Sequence, residues 1–207
     1  MQTALRRAIL LAVFVTSTSG VARAQTVCDQ LFPFGLVPPE GGFGFGCAHQ
    51  YNLRLGRGSG SDGNYWPLEY PACANGPCAG LTGPLLFVCA ATSGYSCCIS
   101  ASQLVPLVAG NYSGPLRSGL AQRIANDTDT RAGICYSDYT GNDSRLGNVP
   151  LIQPIGNGDP NAHVAGFLRM FLSGPPPAGS DQIPVEFVDE VTPVRSASWG
   201  WTKILYR

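Results

Sequence analysis

The chain has 207 residues, with 13 Lys or Arg against 13 Asp or Glu and 44% apolar residues. That balance excludes an ordinary nucleic-acid binder, which carries a basic excess, and the apolar fraction excludes intrinsic disorder. Its 26 glycines and 17 prolines imply many turns and short strands rather than long helices.

Arg6 and Arg7 precede an apolar run over 8–15, and Ala22-Arg23-Ala24 ends the segment with the small-x-small pattern of a signal-peptidase site. The apolar run is far shorter than the ~20 residues of a membrane-spanning helix. Residues 1–24 are therefore expected to be a cleavable signal, with no retained transmembrane helix and a periplasmic or secreted product. Cleavage removes three arginines, leaving 10 basic residues (13 − 3) against 13 acidic. The only lysine is Lys203, so no polybasic stretch exists to hold an anionic membrane surface. The remaining 183 residues (207 − 24) suffice for one domain with a core. It is placed at 25–190, with a last strand or tail over 191–207.

Residues 25–48, rich in Gly, Pro and Phe, read as an irregular lead-in with aromatic plugs. Alternation over 51–55 predicts a strand, and 56–64 a turn. A short helix is expected over 81–91, with Pro84 in its first turn and Gly94 as its stop. Residues 99–108 read as a strand limited to an edge by Pro106. The clearest helix is 114–125, with Ser113 at the N-cap, Pro115 in the first turn and an apolar stripe of Leu116, Leu120 and Ile124; Arg117, Gln122 and Arg123 lie off it. After a polar loop over 126–146, strands are expected at 149–152, 163–172 and 183–188, separated by turns at 156–161 and 174–177.

Eight cysteines lie beyond the signal: Cys28, Cys47, Cys73, Cys78, Cys89, Cys97, Cys98 and Cys135. In an exported chain they imply up to four disulfides, and eight cysteines allow 105 pairings. The Asn-Gly-Pro turn between Cys73 and Cys78 brings that pair within bridging reach. Adjacent Cys97 and Cys98 point opposite ways in a strand and so are expected to take different partners. A zinc set of Cys73, Cys78, Cys97 and Cys98 is the rival, without the usual Cys-x-x-Cys knuckle.

The two histidines, His49 and His163, are the candidate bases for a hydrolase, yet no Gly-x-Ser-x-Gly elbow accompanies them. Aspartates at 62, 127, 129, 138, 143 and 159 gather in turns without the spacing of a calcium loop. The glycines over 56–63 lack a phosphate-loop ending. No cofactor is expected.

The run Gly110-Asn111-Tyr112-Ser113-Gly114-Pro115-Leu116-Arg117, with Arg123 beyond, resembles a Gly-Asn-x-x-Gly-Pro-apolar-basic signature of the tight-adherence (Tad, or Flp) pilus-assembly group, in its TadG-like extracytoplasmic region. Gly63-Asn64-Tyr65-Trp66, Gly94-Tyr95, 149–152 and 164–167 resemble further landmarks in the same order, over roughly 32–190. The resemblance implies a non-enzymatic accessory of pilus assembly or surface adhesion whose partners are other exported proteins. It departs in having a short signal where the family keeps an anchoring helix. The residues themselves give Gly110 a turn, Asn111 a side-chain bond and Gly114-Pro115 a helix start; an anion site at that start with Arg117 is the alternative. The expected fold is α+β: a mostly antiparallel β-sheet with one or two short packed helices, stabilised by disulfides.

Overall fold

The computed structural model describes residues 25–55, 64–70, 76–155 and 159–191. The signal segment, the turn at 56–63, Gly63, Cys73, the turn residues 156–158 and the tail beyond 191 lie outside them. In chain order the strands and helices are β1 (Thr26–Val27), β2 (Phe34–Val37), β3 (Gln50–Arg54), β4 (Asn64–Pro67), α1 (Gly83–Ser93), β5 (Ile99–Ser100), β6 (Leu104–Pro106), α2 (Ser113–Ala125), β7 (Leu146–Pro154), β8 (Asn161–Leu172) and β9 (Gln182–Glu190).

The main sheet runs β3-β9-β8-β7-β2-β4, with β6 paired to the first part of β8. Every strand pair in it is antiparallel except β2 with β7. A bridge between Leu68 and Leu107, with the Val108 N–H donating to the Pro67 carbonyl at 3.0 Å, ties the end of β4 to the end of β6. The pairings β4-β2-β7-β8-β6 therefore return on themselves, and β9-β3 branches off the far half of β8. This is the expected α+β fold, mostly antiparallel with two short packed helices and disulfide bridges.

Apolar side chains cover the sheet on two sides. Phe34, Leu36, Tyr65, Val149, Met170, Val185 and Phe187 face Phe87 and Ala91 of α1 and Leu116, Leu120 and Ile124 of α2. Leu68, Val105, Ile152, Val164 and Phe167 fill a second core, which Leu86 and Ala90 of α1 also join. Because α1 sits where the two cores meet, it is apolar on more than one side and shows no single stripe. Gly119 lets the helices approach closely: a Cβ there would stand 2.5 Å from the Val88 carbonyl oxygen.

Several expectations need correction. β2 lies inside the stretch read as irregular. It escaped notice because Phe34 and Leu36 face one core while Gly35 and Val37 face the other side, leaving no polar alternation to see. The strand expected at 99–108 is broken into β5 and β6 by a turn in which Ser102 has φ 70°. Tyr112, not Ser113, is the N-cap of α2, without a side-chain cap. Asn111 supplies the local bond instead, its Oδ1 accepting from the Ser113 N–H at 3.0 Å and the Ser113 hydroxyl at 2.7 Å. α1 ends as expected at Gly94, at φ 73° with its N–H on the Ala90 carbonyl at 2.8 Å.

Bridges join Cys28 to Cys98, Cys47 to Cys135 and Cys78 to Cys89. The pairing of Cys73 with Cys78 is thus wrong, since Cys78 reaches into α1 instead. The zinc set fails for the same reason: Cys78 and Cys98 belong to separate bridges. Cys97 is disulfide-bonded too, buried while neighbouring Cys98 is exposed, so the adjacent cysteines do take different partners. Among the described residues no helix is long and apolar enough to cross a membrane.

Candidate functional site

The two histidines do not meet. His163 is exposed on β8, between Leu104 of β6 and Gln153 of β7 in register. His49 is exposed in the 3-10 turn Cys47–His49 that leads into β3, its ring against Gly44. No hydrogen bond or ion pair to an acid or a serine is formed by either imidazole among the described residues.

The signature residues are spent on the backbone. Gly110 has φ 127°, a conformation that glycine adopts readily. Pro115 falls in the first turn of α2 and Gly114 has open space around it. Asn64 opens β4, paired with Val37. Arg117 donates to the Ser180 carbonyl at 3.3 Å. Arg123, expected off the apolar stripe, is 1% exposed and crosses to the loop after α2. Its guanidinium donates to the Ser144 and Leu146 carbonyls and to Gln30 Oε1 and stands 4.8 Å from the Phe32 ring centroid. Burial lowers its pKa to about 10, which still leaves it charged at neutral pH.

The polar loop 126–146 is therefore built rather than loose. Arg145, fully buried, donates to the carbonyls of Asp129, Arg131 and Ser173. Asp127 takes the Tyr139 hydroxyl and the Asp129 N–H. Asp129 takes two guanidinium bonds from Arg131, at 2.9 and 2.6 Å, and the Thr140 N–H. Those hydrogen bonds, led by Arg131, hold its carboxyl well below the usual range, while burial and the bond to Asp127 push the Tyr139 phenol up. The aspartates read as turn formers at 127 and 129 thus bond the backbone N–H groups of this loop and, with them, the Tyr139 hydroxyl and the Arg131 guanidinium.

Two places have chemistry left over. One is an open cleft of about 530 Å³ where Asp29, Asp143, Asp189 and Glu190 stand against Arg169. Asn148, Arg169 and Asp189 form one rung across β7, β8 and β9, which fixes the cleft wall on the sheet. The other is the Cys47–Cys135 bridge, whose sulfurs lie within 4.8 Å of a Glu186 carboxylate oxygen. Glu186, on β9, is 3% exposed and accepts the Tyr136 N–H at 2.9 Å. Sequence reasoning missed it, along with Asp29, Asp189 and Glu190. An acid inside a predicted strand reads as solvent-facing, and nothing in its spacing announces the loop that covers it.

Fold and site together define a disulfide-pinned α+β domain with an acidic cleft and a buried carboxylate behind one bridge. No protein-family model matches the chain, and neither a curated protein nor a solved structure is significantly similar to it.

Proposed function

We propose that this is an exported, non-enzymatic accessory protein that works by contacting other exported proteins, in Tad-type pilus assembly or surface adhesion, in the periplasm or beyond it. The observation that carries the reading is the placement of the bridges. Cys28–Cys98 and Cys47–Cys135 join segments 70 and 88 residues apart, and both end in loops or strand ends rather than in the sheet centre. Loops held in one shape before a partner arrives lose little entropy on binding. Such cross-links suit an oxidising compartment. The alternative, an exported hydrolase or small-ligand module built on His49 or His163 with loop acids, has less support, because the imidazoles stand on separate elements and neither bonds an acid among the described residues.

Deleting the gene in the source organism is expected to reduce surface pili or adhesion, with recovery on expression of the intact chain. Piliation and adhesion that stay unchanged after deletion, or purified protein that turns over an ester or glycoside through either histidine, overturn the proposal.

A further inference from the structure

We propose that Cys47, Cys135 and Glu186 form a redox-gated site for a thiophilic divalent cation of the zinc type. When bridged, the cysteines close the site; when opened, they ligate the cation together with the carboxylate. Donor atoms of the three residues already lie within 4.8 Å of one another. Tetrahedral zinc with bonds of about 2.0–2.3 Å sets its donors roughly 3.7 Å apart. The carboxylate oxygen and the sulfurs therefore need to draw together by at most on the order of 1 Å, while the two sulfurs, bonded to each other in the bridge, part to that spacing once the bond is broken.

Rigid elements hold the three groups. Glu186 pairs with Gln50 across β9 and β3. The turn bearing Cys47 is tied to β9 by the Gly46 N–H on the Phe187 carbonyl at 2.9 Å. Gln50 Nε2 approaches Cys135 Sγ at 3.9 Å. Glu186 is nine-tenths buried, yet no Lys or Arg side chain lies within ion-pair distance of it among the described residues. A buried carboxylate without a countercharge is costly, and a cation between it and two thiolates supplies that charge. Two sulfurs and one oxygen are a borderline-soft donor set, which selects zinc-like ions over calcium or magnesium. Cys47 is exposed, so an external thiol reaches the bridge and water completes the fourth position.

The steps balance with a dithiol as co-reactant. Its two sulfurs form their own disulfide and deliver two electrons and two protons, the Cys47–Cys135 bond breaks, and two thiols result. Binding of the divalent ion then releases those two protons. The disulfide form of the same reagent reverses the sequence: the thiols regain their two protons as the ion leaves, and the reagent takes up two electrons and two protons as the Cys47–Cys135 bond re-forms.

The test uses the folded chain, reduced on an immobilised dithiol and freed of it, with Zn²⁺ itself as the probe. One equivalent is expected to bind and to slow alkylation of Cys47 and Cys135, mapped by mass spectrometry, about tenfold or more. Glu186→Gln keeps an acceptor for Tyr136 and is expected to weaken Kd by about tenfold or more, while the oxidised variant melts like the parent. Cys47→Ser, which retains the carboxylate, is expected to lose zinc altogether and serves if the first variant fails to fold. Zinc uptake indifferent to both substitutions, unprotected thiols, or loss of the fold on reduction overturns the proposal.

Discussion

Tyr65 carries a hydroxyl that the fold does not use. The residue is 4% exposed in the core beneath the helices, its Oη has no hydrogen-bond partner among the described residues, and its ring lies 4.9 Å from that of Phe34. Burial raises its pKa well above the ordinary value. A phenol with a folded pKa above its unfolded value of about 10 contributes stability that is complete below about pH 10. That contribution is lost as the pH climbs toward the folded value. Tyr65→Phe removes both the orphaned hydroxyl and this alkaline liability. Urea unfolding is expected to show the variant equal to the parent, or about 1 kcal/mol more stable, near pH 8. Its advantage should widen above about pH 10. A variant clearly less stable at both pH values means that the hydroxyl has a partner. At Arg145 only the Nε is left without a partner among the described residues, since its two terminal nitrogens meet three backbone carbonyls, from Asp129, Arg131 and Ser173. Truncating it would strand those carbonyls.

Among the elements, two glycines of α2 predict opposite signs. A Cβ at Gly119 would meet the Val88 carbonyl oxygen at 2.5 Å and the Ala91 Cβ at 2.6 Å, whereas at Gly114 nothing lies within 4 Å. Alanine gains up to about 1 kcal/mol over glycine in a helix interior. At Gly114, in the first turn and with open space around it, part of that gain is kept, and Gly114→Ala is expected to raise the unfolding midpoint slightly. At Gly119 the obstacle includes α1 backbone, which cannot swing aside, and overpacking of this kind costs about 1–3 kcal/mol. Gly119→Ala is therefore expected to lower the midpoint, and equal effects at the two sites would refute the tight α1–α2 contact. The α2 stripe was legible because Leu116, Leu120 and Ile124 recur at helical spacing on one buried side. β7, β8 and β9 were legible in outline from their apolar runs between Gly-Pro turns. β2 was not, because cover on both sides removes alternation, and β4 was hidden by the turn residues Asn64 and Pro67 at its ends. The cleft acids and Glu186 were illegible for a different reason. Asp29 and Asp189 meet in the cleft, and Glu186 meets the Cys47–Cys135 bridge, through register and loop coverage, and local spacing encodes neither.

For the molecule as a whole, the bridges divide by the length of chain they close. Cys47–Cys135 spans 88 residues and Cys78–Cys89 spans 11. Loop-closure entropy assigns them about 4.6 and about 2.8 kcal/mol respectively, against a total stability of about 5–15 kcal/mol for a typical domain. Opening the longer bridge alone should weaken the fold without abolishing it, because the two-sided core and the remaining cross-links persist. Cys47→Ser with Cys135→Ser is expected to lower Tm by roughly 10–20 °C, with the far-ultraviolet circular dichroism of the native fold retained at room temperature. The loss should exceed that caused by removing Cys78–Cys89, once the buried Cys78 is replaced by a residue of similar size. An unchanged Tm would mean that the loop after α2 is held by its own polar network of Arg131, Asp129 and Arg145, with the bridge adding nothing. Complete unfolding would mean that the sheet branch formed by β9 and β3 depends on this one link, and the opened state could then hold no ion. A cooperative transition at reduced temperature is the outcome that lets the same bridge be both a structural tie and a switch.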